Sequence, residues 1–260
     1  MAGPLVNART GTVGRVCGRY VSVSSPALLA ERFHVTEVRL PETALEPNYN
    51  VAPRAEVPVI AERRVKGAGE GEHGHVRVLD VVRWGLVPFW AKDLKVGDRM
   101  INARADHLAS SNAFKRPFER RRCIVPADGF YEWEKIEGQR TKQPWFIRRR
   151  DGEPLAFAGL WDVWHDPDAP DDAPPLRSCT VITTEPNELL APIHDRMPVV
   201  LPESAWDTWL DVENHDVRAL RSLLVPIPAA ELEAWTVSTM VNKADNNGPA
   251  LIDAVAAASR

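Results

Sequence analysis

The apolar stretches of this chain are short, each only a few residues long and closed by Gly, Pro, Asn or Asp, so a strict alternation of strand and long helix is excluded. Strands are predicted over Val57 to Ala61, Val76 to Trp84, Cys123 to Val125, Phe130 to Trp133, Trp145 to Arg148, Leu155 to Trp161, Ser178 to Thr183, Met197 to Leu201 and Thr236 to Met240. Helices are predicted from Pro26 to Phe33, with Ser25 as cap, and over Ser204 to Leu210 and Val217 to Leu224. Asp151-Gly152 lies between two strand-like runs and reads as a hairpin turn. The polar segment from Glu62-Arg63-Arg64 to Gly74 reads as a mobile hairpin tip, and Asp166 to Pro175 as a stiff, acidic, exposed loop. No internal repeat is present. Such a mixture implies an α+β fold with a mixed or largely antiparallel sheet.

The chain has 260 residues, 44% apolar and 26% charged, which suits one globular domain with a full core. No apolar run reaches the length of a membrane span. Three cysteines, Cys17, Cys123 and Cys179, are too few and too odd in number for a disulfide scaffold and show no paired metal-ligand spacing, so no metal is expected and a reducing cytoplasm fits. Net charge is −4, but residues 1–150 carry 26 Lys and Arg against 17 Asp and Glu, whereas residues 151–260 carry 6 against 19. That asymmetry suggests a polyanionic partner for the basic part; a set of solvated charged faces accounts for the same numbers.

Chemistry concentrates in five short segments. In Cys17-Gly18-Arg19, a cysteine with a free α-amine can close a five-membered ring on an aldehyde, because its nitrogen and sulfur reach the same carbon. Residues 1–16 stand in front of it. They contain no signal-peptide pattern and read as a disordered leader or a start assigned too far upstream; initiation at Val16 followed by methionine removal would expose Cys17. The other segments are Asn50-Val51-Ala52-Pro53, Asn102-Ala103-Arg104, Pro126 to Trp133, which holds Glu132, and His194-Asp195-Arg196-Met197-Pro198. Each has a structural alternative: turns at Asn50 and Asp128, a solvent-facing strand position at Glu132, and a helix-end or core hydrogen bond at His194.

Taken together, these segments resemble the SOS-response-associated peptidase (SRAP) family, abasic-site processing proteins that crosslink themselves to damaged single-stranded DNA. The resemblance runs from Cys17 to about Asp253, over residues 17–255 as one SRAP domain, and includes Arg83 to Trp90, Phe157 to Trp161 and Val241 to Asn246. It implies a barrel-like, largely antiparallel sheet with short flanking helices, and no cofactor.

For the site, the resemblance implies a Schiff base between the Cys17 amine and the open abasic sugar, closed to a thiazolidine by the Cys17 thiolate. Glu132 and His194 would move protons, with aromatic neighbours raising the Glu132 pKa. Asn50 and Asn102 would orient sugar and cysteine, and Arg19 and Arg104 would hold phosphates. Pro53, Phe89 and Trp90 would stack or wedge at the lesion, while Trp84 reads as core. Lys115, Arg116, Arg120, Arg121 and Arg122 extend the candidate backbone groove. The partner implied is single-stranded DNA carrying abasic sites, with the replication machinery as a possible recruiter, a nucleoid location in a bacterium, and a monomer sufficing. Two rival readings remain: a cysteine peptidase or N-terminal-nucleophile hydrolase using Cys17, and a noncovalent single-stranded DNA binder.

Overall fold

A computed structural model describes residues 18–40, 46–66 and 73–255. The described chain runs β1 (Tyr20–Ser22), α1 (Pro26–Arg32), β2 (Glu37–Arg39), β3 (Asn48–Val51), β4 (Glu56–Lys66), β5 (His73–Trp84) and β6 (Asn102–Arg104). It continues with α2 (Lys115–Arg120), β7 (Arg122–Ala127), β8 (Gly129–Glu134), β9 (Gln143–Arg149), β10 (Leu155–Trp164) and β11 (Leu176–Thr184). The last elements are β12 (Met197–Pro198), α3 (Glu203–Leu210), α4 (Val217–Ser222) and β13 (Leu232–Thr236). None of these helices is long and apolar enough to cross a membrane.

Two sheets result. The first has the order β13-β9-β8-β1-β3 and is antiparallel throughout. The second has the order β12-β11-β10-β7-β4-β5-β2, and a parallel contact between β11 and β5 brings its strands back on themselves as a ring. β6 also lies parallel to β11. The expected α+β class and mixed, largely antiparallel sheet are both observed.

Side-chain alternation explains why the layers stack as they do. Along β4 and β7, Val59, Ala61, Cys123 and Val125 turn to one buried cluster, which also takes Tyr20, Phe130 and Ile147 from the first sheet. Ile60 and Ile124 turn the other way, onto Leu29, Trp206, Trp209 and Leu220 of the helices. Val21, Tyr131 and Phe146 cover the remaining face of the first sheet with Val237 and Val241. Helix α1 starts where Ser25 accepts a hydrogen bond from the Leu28 amide, with Pro26 at its first position.

Several sequence expectations shift. Asp151-Gly152 does make a tight turn, with Gly152 at φ 80°, but it is not a hairpin. Strand β9 already has β8 on one edge and β13 on the other, so β10 crosses to the second sheet and pairs with β7 and β11. The last strand is Leu232–Thr236, where edge pairing with β9 fixes its register, and Thr239–Asn242 instead winds as a 3-10 turn capped by the Ser238 hydroxyl. Met197–Leu201 pairs at Met197–Pro198 and at one bridge from Val200 to Phe157. β4 and β5 run further into the polar insertion than predicted; residues 67–72 at its tip lie outside the described residues.

The uneven charge distribution is met within the fold. Arg32 reaches Glu153 and Glu203, Arg64 reaches Glu213, Arg77 reaches Asp207, Arg121 reaches Asp162 and Arg148 reaches Glu233. Each pair joins the basic part of the chain to the acidic part. Arg122, proposed for a DNA groove, is 4% exposed and donates to the carbonyls of Trp209, Phe118, Glu119, Asp211 and Asn214, so it ties α2 and α3 together instead.

Candidate functional site

Asp128 and Gly129 set β1 against β8. The Asp128 carboxylate accepts from the Val23 and Ser24 amides at 2.6 and 3.0 Å and from the Ser24 hydroxyl, while its own amide donates to Val21. Gly129 is required by close approach, since a Cβ there would lie 2.3 Å from the Phe146 ring. Asp128 therefore does more than shape a turn, a positioning part that the sequence analysis missed.

The register Tyr20 to Phe130 and Val21 to Gly129, carried on by the hydrogen bond from the Tyr131 amide to the Arg19 carbonyl, sets Gly18 abreast of Glu132. Glu132 is 0% exposed, on the same side of β8 as Phe130. A solvent-facing role for Glu132 is thereby excluded. Cys17 lies outside the described residues.

Arg19 and Asn50 meet directly. The Arg19 guanidinium donates to Asn50 Oδ1 and to the Val241 carbonyl, both at 2.8 Å, and to the Asn242 carbonyl at 3.4 Å. The Asn50 amide nitrogen donates to the carbonyls of Lys243 and Asn246 at 2.9 Å and of Val241 at 3.3 Å. Trp133 Nε1 adds a bond to Asn242 Oδ1 at 2.7 Å. The late Val241 to Asn246 segment is thus fastened to the start of the chain. Burial pulls the Arg19 pKa down from its ordinary value.

A second group forms where β6 runs beside β11, with Asn102 opposite Val181 and Arg104 opposite Thr183. Arg104 is exposed and grips Asp106 through two nitrogens, at 3.1 and 2.7 Å, which holds the Asp106 carboxyl at about 2. Arg196 donates to the Thr183 carbonyl at 2.5 Å, and its pKa is lowered by burial and by nearby Arg104. His194 Nδ1 lies 3.1 Å from the Arg196 amide and 2.9 Å from Asp195 Oδ1. Burial is the main reason that the His194 pKa sits below 6.5, with Asp195 opposing and Lys142, just before β9, adding to the fall.

The aromatic segment divides cleanly. Trp84 is 1% exposed, donates to the Ile101 carbonyl at 2.9 Å and meets Tyr20 edge-on, so it is core as read. Gly85, at φ 118°, turns the chain, and Phe89 and Trp90 emerge 50% and 48% exposed. Their loop is pinned from behind: the Val87 amide donates to Ser178 Oγ at 2.8 Å and the Phe89 amide to Asp162 at 3.2 Å. Pro53 sits half-buried in a turn whose next residue, Arg54, has φ 79° and donates its amide to the Trp84 carbonyl. Among the described residues no His, Cys, Asp and Glu side chains group as a metal site.

The chain is similar to known proteins. The family model for "SOS response associated peptidase (SRAP)" matches residues 16–244. The abasic site processing protein YoqW of Bacillus subtilis is 42% identical over 238 residues, covering 92% of this chain and 99% of that protein. The abasic site processing protein HMCES of Pongo abelii is 33% identical over 234 residues, covering 78% of this chain and 64% of that protein. A crystal structure of a protein from Bacteroides thetaiotaomicron superposes with a TM-score of 0.77 at 24% identity, over 92% of this chain and 100% of that one. The structural likeness shows a shared fold, and by its sequence match the chain belongs to the SRAP family.

Proposed function

We propose that this protein processes abasic sites in single-stranded DNA by joining itself to them through Cys17. The relatives named as abasic site processing proteins support the general activity. The observation that carries the reading is the fully buried Glu132 carboxyl beside Gly18, the residue that follows Cys17. A carboxyl withheld from solvent, abreast of the residue that follows the proposed nucleophile in sequence, suits proton transfer better than it suits solubility.

The chemistry balances within the pair of reactants. The Cys17 amine adds to the sugar aldehyde, and the carbinolamine loses water to leave an imine. The thiolate then forms the carbon–sulfur bond as the imine nitrogen takes a proton, so the net product is a thiazolidine and one water. An α-amine of ordinary pKa, about 7.7 to 8.0, keeps an appreciable neutral fraction near physiological pH, whereas an amide nitrogen is not nucleophilic. The mature protein of this reading therefore begins at Cys17.

Glu132 handles the protons of imine formation, and His194, neutral through burial, serves the open sugar. Arg104 holds a backbone phosphate, and Asn102 orients the reacting groups. Phe89 and Trp90 stack on bases beside the lesion, which asks nothing of sequence. Arg19 and Asn50 contribute by fixing the Val241 to Asn246 segment over β8.

Incubation with an abasic single strand tests this. A species that survives denaturant, vanishes with Cys17→Ala and slows roughly 10²-fold or more with Glu132→Gln is expected. Intact mass of the active protein should place Cys17 first. Binding without any denaturant-resistant species would make the protein a noncovalent binder, and turnover of peptides dependent on Cys17 would make it a peptidase.

A further inference from the structure

Strand β4 overruns the start of β7. Their pairing is fixed by Ile60 opposite Ile124, and beyond the start of β7 the end of α2 places Arg120 and its C-cap Arg121 on the groove that Arg63 and Arg64 of β4 also line. There a groove of about 300 Å³ opens, lined by these four arginines with Trp161 of β10 and His215 of the loop between α3 and α4. Four like charges around one groove repel, and an anion between them lowers that repulsion.

The acids present leave the groove partly unmet. Arg63 donates to Asp80 at 2.9 Å, Arg64 pairs with exposed Glu213, and Arg121 with Asp162. Glu62, also at the rim, is taken by Arg77 at 2.7 Å. Arg120 has no ion pair among the described residues, and Arg63 Nε is buried with no acceptor. The guanidinium carbons of Arg63 and Arg121 lie 5.4 and 5.3 Å from the Trp161 ring centroid, which holds both forks in fixed planes. Planar forks and a free donor match a ligand rich in oxygen acceptors.

The groove is tied to the exposed aromatic pair by two independent links. Buried Asp162 accepts both from Arg121 and from the Phe89 amide. On α2, Arg116 stacks over Phe89 at 4.9 Å, and Arg120 follows one turn later, about 6 Å along the axis.

We propose that this groove is a second phosphate site, which takes the phosphodiester backbone of the DNA strand after it passes Phe89 and Trp90. The inference rests on the reading above that the substrate is a single DNA strand.

The test uses undamaged single strands of about six and about twenty nucleotides, spanning the usual site sizes of single-strand binders. Affinity is measured across a salt series for the wild type and for Arg64→Gln with Arg120→Gln, two exposed changes. On the long strand the double variant should lower the slope of log K against log salt by about 1.4, at about 0.7 per phosphate contact. Affinity for the short strand should not change, and the Lys-for-Arg pair should restore the slope. Equal slopes on the long strand overturn the proposal, as does an equal loss on both lengths. A groove that millimolar inorganic phosphate saturates at constant ionic strength, erasing the difference, is a small-anion site and also overturns it. Should the double variant not fold, Arg120→Gln alone should lower the slope by about 0.7. Failure of an abasic strand to crosslink would sink the covalent reading and leave these slopes readable.

Discussion

Arg19 and Arg104 are matched by sequence to the same task, yet the fold uses them in opposite ways. Arg19 is half-buried, and its guanidinium is committed to Asn50 and to two carbonyls more than 200 residues away. Arg104 stands exposed and, among the described residues, is paired with the carboxylate two residues on. The difference is one of spent and available donors: an arginine whose hydrogen bonds are taken by carbonyls is a strut, and one paired to a surface acid can exchange that acid for a phosphate.

Breaking the strut should have the largest effect. Asn50→Ala leaves three carbonyls and the Arg19 guanidinium short of partners, and should lower unfolding free energy by about 3 kcal/mol in urea titration. The corresponding Arg19→Ala change should be strongly non-additive with it in a double-mutant cycle, since both remove the same bond. Arg104→Ala, by contrast, should leave the melting temperature unchanged while weakening single-strand binding roughly tenfold and reducing the salt slope by about 0.7. Additivity of the Arg19 and Asn50 changes, or a lowered melting temperature with Arg104→Ala, would erase the distinction.

Smaller effects sharpen it. Asp106→Asn removes the acid that competes for Arg104, and should tighten strand binding about threefold at low salt, as read by fluorescence anisotropy. His194 supplies a pH test. Its folded pKa is depressed below 6.5, so the unfolded chain binds the extra proton first, and stability is full above 6.5 and declines as pH falls below it toward the folded value. Melting temperature followed downward from pH 7 should show that decline, and His194→Gln should flatten it.

The short segments proposed for chemistry stand out in the sequence because each sets polar or exposed aromatic residues where packing alone asks for none. Glu132 between Tyr131 and Trp133 is such a place, and the exposed Phe89 and Trp90 are another. What could not be read is which donors the fold consumes. Arg122 looks in sequence like one more member of a basic run, and only the arrival of the α3 C-terminus, nearly 90 residues later, shows three more carbonyls waiting for it beside the two of α2. Likewise, Asp151-Gly152 announces a turn truthfully; pairing depends on the edges left open, and those of β9 are filled by strands from either side in sequence. β6 is three residues long, too brief for any periodicity, although it places Asn102 and Arg104 beside β11.

The clasp of Asn50 on Lys243 and Asn246 spans 193 and 196 residues. During synthesis, the segment around Arg19 and Asn50 leaves the ribosome long before the carbonyls that it must hold exist. Assembly of this corner is therefore deferred until residues 241–246 have emerged, and a ribosome stalled short of residue 241 would display the early strands without their fastening.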